Sequence, residues 1–194
     1  MASKKDKKII DDTVINFFSG KKEYRSLSNF WEKDVIIEDN IDKRTYESGE
    51  HCFHGEKYIR LGRLSTDKQR KKELIFYGLH FKKPSKYKTC AEAKKMGGKN
   101  GLALTSEELE IWHILSSEVQ IKISMYKYET YDEVKEDIKN SGNKILVHPA
   151  LRTSEEKLMT RTWEGKAVIK DGKVTIIGVN RLGNIWMDLR EFYK

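Results

Sequence analysis

Glu50 and Lys57 are two residues whose types and spacing could do chemistry. The stretch from Ser48 to Lys57 opens on a residue suited to cap a helix, and helical spacing puts Glu50, Phe53, His54 and Lys57 on one face. Seven residues of helix span roughly 10 Å at 1.5 Å per residue, so carboxylate and amine cannot pair directly. Both can border one elongated pocket. A carboxylate in the first turn is favoured in its ionised form by the helix dipole. His51 and His54 are three apart, but no third ligand stands at a recognisable spacing, so no metal is expected.

The residues before this helix give that pocket a possible wall. From Phe17 to Trp31 aromatics alternate with small polar residues, among them Ser28, Asn29 and Phe30, without a clean period. With Tyr46, His51 and Phe53 they suit a flat polar ligand such as a base or a nucleotide. The other reading is that Phe17, Phe18, Phe30 and Trp31 fill a core. Trp112 belongs to the stripe Leu109, Trp112, Leu115, Val119, Ile123, Tyr126, whose spacing predicts a buried helix face with at most an edge toward the pocket.

A chain of 194 residues can bury a substantial core as one domain. Its 20 aromatic residues (4 Trp, 9 Tyr, 7 Phe) argue against disorder despite 35% charged residues. The formal charge of +8 fits an anionic partner, phosphates above all, or simply a lysine-rich surface. Cys52 and Cys90 make neither a metal spacing nor a disulfide framework, which points to a reducing cytoplasm, with access to nucleoid or nucleus left open. No apolar run approaches the ~20 residues of a membrane span. Phosphate-loop, dinucleotide and nucleophile-elbow signatures are missing.

Residues 1–12 read as a flexible basic tail, and 13–194 as a single compact, mainly helical α+β domain with small β-hairpins. Thr13–Phe18 reads as a short strand, and residues 35–37 and 44–46 as a hairpin. A helix is expected from Gly49 or Glu50 to Leu61 with Gly62 as its stop. Further helices are expected over 66–76 and 88–96, the latter closed by Gly97-Gly98. Thr105-Ser106-Glu107-Glu108 matches a capping box, and Thr130-Tyr131-Asp132-Glu133 reads as a second helix start of the same kind, ended at Ser141-Gly142. Ile145–Val147 is strand-like, Asp171-Gly172 centres a hairpin over 167–177, and a tight turn at 178–180 leads into a last helix.

Five fragments occur in a fixed order. They are Phe17-Phe18-x-x-x-Lys22-x-Tyr24-x-x-Leu27-Ser28-Asn29-Phe30; Glu50-His51-x-Phe53-x-x-x-Lys57; Ala93-x-x-Met96-Gly97; Trp163-x-Gly165; and Asn180-Arg181-Leu182-Gly183-x-x-Trp186-Met187-x-Leu189-Arg190. Together they resemble the NADAR (YbiA-like) family from about residue 15 to the end. The resemblance implies hydrolysis of N-glycosidic bonds without a cofactor. One branch of that family acts on ribosylated intermediates of riboflavin synthesis. Another removes ADP-ribose from modified guanine in DNA, undoing toxin ADP-ribosyltransferases, with a lysine Schiff base proposed.

The chain departs from the riboflavin-type pattern at Thr160, where an acidic residue is expected, at His148 in Leu146-Val147-His148, where glutamate is expected, and at Gly49, where serine is expected. Lys22 occupies the opening-loop position in which the chain resembles the de-ADP-ribosylating members. The expected substrate is therefore ADP-ribosylated guanine in DNA, with ADP-ribose as product. Glu50 is expected to face the oxocarbenium-like sugar, and Lys22 to act as the amine, with Lys57 as the second choice. Phe30, Trp163, Asn180 and Arg181 are expected to bind base and pyrophosphate, within the turn that Leu182 and Gly183 continue. A glycosidase of riboflavin intermediates and a non-catalytic ADP-ribose or NAD reader remain alternatives. The sequence does not define the oligomeric state.

Overall fold

A computed structural model of the chain describes residues 4–150 and 153–194. Contacts divide it into two units, Asn29–Thr130 and the combination of Met1–Ser28 with Tyr131–Lys194.

The unit Asn29–Thr130 is built around helix α2, Gly49–Leu64. Ser48 starts it, its hydroxyl accepting from the His51 N–H at 3.3 Å. Strands β2, Val35–Glu38, and β3, Lys43–Tyr46, form the expected antiparallel hairpin. Helices α3, Lys68–Leu79, α4, Cys90–Gly97, and α5, Ser106–Thr130, complete the unit. Gly62 does not end α2. A Cβ there would stand 2.7 Å from Ile75 Cγ1, so this glycine lets α3 approach closely and the helix runs on to Leu64. Val35, Ile37, Tyr46, Tyr58, Leu61, Leu74, Phe81, Val119 and Ile123 form the core.

Helix α4 starts on a Thr89–Glu92 capping box, and α5 on Thr105 and Glu108, whose side chains bond each other's backbone N–H. The stripe on α5 is only partly core. Val119 and Ile123 are buried, while Leu109 is 52% exposed. A second, polar row on the same helix is buried: Ser116, Gln120, Ser124 and Lys127.

The other unit corrects the tail. Residues 1–3 lie outside the described residues, but Lys4–Thr13 is helix α1, with Ile9 and Ile10 half-buried. It leads into β1, Val14–Asn16, which pairs in parallel with β4, Ile145–Val147. That long-range pair was not among the expected hairpins. Helix α6 is Asp132–Asn140, and its cap position is Tyr131, whose side chain does not cap the helix, so the helix start falls one residue after the expected Thr130. Helix α7, Glu155–Met159, follows, then β5, Lys166–Lys170, and β6, Lys173–Ile177. Asp171 and Gly172 both adopt positive φ, 51° and 73°, as a two-residue hairpin turn of the mirror-image kind requires. Helix α8, Arg181–Phe192, buries Trp186, whose indole N–H donates to the Leu27 carbonyl at 2.9 Å.

The architecture is α+β and mainly helical, as expected. Among the described residues no helix is long and apolar enough to cross a membrane.

Candidate functional site

The face of α2 that carries Glu50, His54 and Lys57 is polar and largely enclosed, with Glu50 and Lys57 buried and His54 half-buried. Glu50 and Lys57 are 8% and 7% exposed. His54 Nε2 lies 3.2 Å from Glu50 Oε1. Burial holds the imidazole below its usual range, and the nearby charges of Lys57 and Lys94 act the same way against the pull of Glu50. A neutral His54 facing a carboxylate must donate from Nε2, since an ionised carboxylate only accepts. Its Nδ1 is buried without a hydrogen-bond partner.

Burial also lowers the Lys57 ammonium to about 8, although Glu50 pulls it upward. Its Nζ donates to the Gly97 carbonyl at the end of α4 and sits 4.6 Å from the Tyr58 ring centroid. Near neutral pH roughly a tenth of such a lysine is free amine, on the order of 300-fold more than an unperturbed lysine offers. Amine, imidazole and carboxylate thus occupy successive turns of one helix.

The loop before the hairpin closes over the start of this helix. Asn29 O accepts from the Glu50 N–H at 2.9 Å, and the Asn29 and Gln120 amides bond reciprocally at 2.7 and 3.1 Å. Gly49 is required here, because a Cβ would stand 2.7 Å from Asn29 Oδ1. Phe30 and Trp31 are half-buried, with Lys94 Nζ 5.4 Å from the Phe30 ring and Lys127 Nζ 5.5 Å from the Trp31 ring. Phe53 and Trp112, also half-buried, meet edge to face at 4.9 Å. Aromatic faces, cations and an amide pair are groups that hold a planar, anionic or polar ligand.

Two expected pocket residues of this unit are taken up by the fold. Tyr46 has no exposed surface, and its hydroxyl donates to Glu56 Oε1 at 2.7 Å. His51 is 2% exposed, with Nδ1 2.8 Å from Ser48 Oγ and Nε2 2.9 Å from the Tyr87 carbonyl. Neither offers a free polar atom to a ligand.

In the other unit, Lys22 is exposed in the turn before the 3-10 segment Arg25–Leu27, and Ser28 is buried. Trp163 is half-buried and Arg181 exposed. Asn180 is spent on structure: Nδ2 donates to the Leu146 carbonyl at 2.8 Å and Oδ1 accepts from the His148 N–H at 3.0 Å. Leu182 is buried, and Gly183 lies against the Leu146 carbonyl with no room for a side chain. Among the described residues, no group of three or more His, Cys, Asp or Glu side chains could hold a metal.

Sequence reasoning passed over His54 as a site residue and left Gly97, Lys94 and Gln120 out of the site. His54 had one readable signal, the i, i+4 spacing from Glu50. Gly97 was read only as a helix stop and as part of an ordered fragment, while Lys94 and Gln120 come from distant segments and carried none.

No protein-family model matches the chain. Curated relatives do, over nearly its whole length. N-glycosidase YbiA of Shigella flexneri serotype 5b is 26% identical over 94% of this chain and 90% of the relative. N-glycosidase YbiA of Escherichia coli K12 is 25% identical over the same shares. The NMR structure of the E. coli protein YbiA superposes with a TM-score of 0.57 at 24% identity, covering 94% of this chain and 85% of that one. The resemblance carried by the ordered motifs therefore holds across the sequence and the fold.

Proposed function

We propose that this YbiA-like chain is an N-glycosyl hydrolase that cleaves the bond between a ribose C1 and a base nitrogen, with Glu50 and Lys57 as its reacting groups and ADP-ribosylated guanine in DNA as its substrate. One observation carries the assignment: a lysine lowered to about 8 lies on the same buried helix face as the carboxylate. The net charge of +8 suits a phosphate-rich substrate.

The chemistry follows from charge. As the C1–N bond lengthens, its electron pair passes to the base nitrogen, which takes up a proton from solvent water, and positive charge collects on C1 and the ring oxygen. Ionised Glu50 opposes that charge. The neutral Lys57 amine adds to C1. The ring C–O bond then breaks as one proton of the adduct ammonium passes to the ring oxygen, leaving a protonated imine, and water hydrolyses it to the sugar aldehyde and the amine. His54 keeps a proton directed at Glu50 throughout.

The experiment incubates the protein with ADP-ribosylated guanine DNA, follows release of ADP-ribose, and adds borohydride to trap an imine. Release by the wild type, trapping in the wild type and in Lys22→Ala, and loss of both in Lys57→Met are expected. Trapping lost in Lys22→Ala and kept in Lys57→Met would move the amine to Lys22. No release from DNA, with turnover of a ribosylaminopyrimidine phosphate, would select the riboflavin-type reaction. Tight ADP-ribose binding with no cleavage of any linked base would leave a reader.

A further inference from the structure

The geometry points to His54 as a positioning residue of the proposed glycosidase: its Nε2–H holds the Glu50 carboxylate in one orientation, and a closed packing shell fixes the ring in the tautomer that can do so. The inference rests on the Glu50–Lys57 reading above but concerns a residue that reading does not need.

Three observations carry it. First, Nε2 stands 3.2 Å from Glu50 Oε1, one helical turn away. Second, Nδ1 is buried with no partner. A proton on Nδ1 would be a buried donor bonded to nothing, whereas a bare Nδ1 leaves only an acceptor unmet, so the Nε2–H form is selected twice over. Third, the ring cannot turn away. A Cβ on Gly97 would come within 2.0 Å of His54 Cγ, so the α4 backbone lies directly on the imidazole. The Phe53 ring meets the imidazole edge to face with centroids 5.6 Å apart, and the Phe81 ring lies tilted to it at 6.1 Å.

The charged groups facing the imidazole are Glu50 and Lys57 from α2 and Lys94 from α4. Two cations and burial keep the ring neutral, so it donates its hydrogen bond without placing a competing positive charge beside the one that develops on the sugar. A protonated His54 would instead neutralise the carboxylate. Glu50 is thereby held in one orientation with no imidazolium charge set against it.

The test has an arm that needs no activity and an arm that does. In protein labelled with 15N-histidine, long-range correlations of the His54 ring near neutral pH should show a protonated Nε2 and a bare Nδ1. Glu50→Gln should weaken that preference, since the neutral amide can present either a donor or an acceptor. In the second arm, His54→Phe keeps the ring volume and removes the donor, and His54→Gln returns an N–H near the position of Nε2. His54→Phe should lower kcat roughly 100-fold with KM little changed, and His54→Gln should recover most of it. An Nδ1–H tautomer, full activity of His54→Phe, or equal loss in both folded variants would overturn the inference. A wild type inactive on every N-ribosyl substrate would sink the glycosidase reading instead, while the tautomer still reports on the ring.

Discussion

Gly97 meets Lys57 through its carbonyl and His54 through the space where its own side chain would be. The carbonyl accepts from Lys57 Nζ, and a Cβ would fall 2.2 Å from His54 Nδ1. One backbone position at the end of α4 therefore sets both the amine and the imidazole on α2. Gly97→Ala cannot be absorbed by a flexible side chain, because the obstacle is a ring clamped by Phe53 and Phe81. Overpacking of this kind costs about 1–3 kcal/mol. The expected result is a matching fall in urea-unfolding free energy, with activity falling further than stability because Lys57 and His54 shift together.

Lys57 gives the second prediction, and its sign can be worked out. Its folded value of about 8 lies below the ordinary 10.5, so the fold penalises the charged amine. The penalty is complete below about pH 8 and fades as pH rises toward 10.5, where the unfolded chain also loses the proton. Compared with Lys57→Met, the wild type should gain about 3 kcal/mol of stability across that window, a figure taken from the size of the shift. Denaturant midpoints of the two proteins at several pH values check it. The wild-type kcat should rise with pH, pass half its plateau near 8 and level off above it, whereas Lys57→Met should be inactive throughout yet as stable as the wild type near neutrality.

What could be read beforehand was local. The Ser48 cap, the Thr105–Glu108 box and the Asp171-Gly172 turn each depend on residues within four positions, and each forms as expected. The face shared by Glu50, His54 and Lys57 followed from helical period alone. Gly62 misled because glycine signals a helix end and a close helix contact equally well, and only Ile75 on α3 decides between them. The β1–β4 ladder joins Val14 to Ile145, a separation over which no local pattern carries information. Burial of Lys57 was invisible for a related reason. Lysine is ordinarily a solvent residue, and what covers this one comes from α4, forty positions downstream.

Asn180 tests whether the turn before α8 serves structure. It holds φ of 51°, a left-handed conformation that asparagine tolerates better than most residues, and its amide bridges the Leu146 carbonyl and the His148 N–H. Asn180→Ala leaves both backbone groups unpaired and strains the same φ, which together should cost about 2–4 kcal/mol. Asn180→Asp keeps the acceptor for His148 but loses the donor to Leu146, and should fall between. Thermal melts of the three proteins check the order. If Asn180→Ala melts with the wild type but loses ligand affinity, the residue binds substrate and does not hold the turn.

The buried pair Arg44–Glu56 offers the largest expected change. Both side chains are fully buried; Nε donates to Oε1 at 2.7 Å and Nη2 to Oε2 at 3.1 Å, with Tyr46 donating to the same carboxylate. Burial alone would raise the Glu56 carboxyl, but the bonds from Arg44 and Tyr46 outweigh it and hold it below the usual range. The stability this contributes is present above the unfolded carboxylate value and is lost as pH falls through the folded one. Arg44→Ala removes the bidentate partner and leaves Glu56 only Tyr46 and the Arg60 guanidinium at 3.2 Å, and should cost about 3 kcal/mol at neutral pH, with the loss shrinking in acid as Glu56 takes a proton. Glu56→Gln strands the guanidinium instead, although Asp39 at 2.7 Å still answers it, so the loss should be smaller. Urea titrations at neutral and acid pH give both quantities. A loss for Arg44→Ala that did not shrink in acid would mean that the arginine contributes by packing and not by charge.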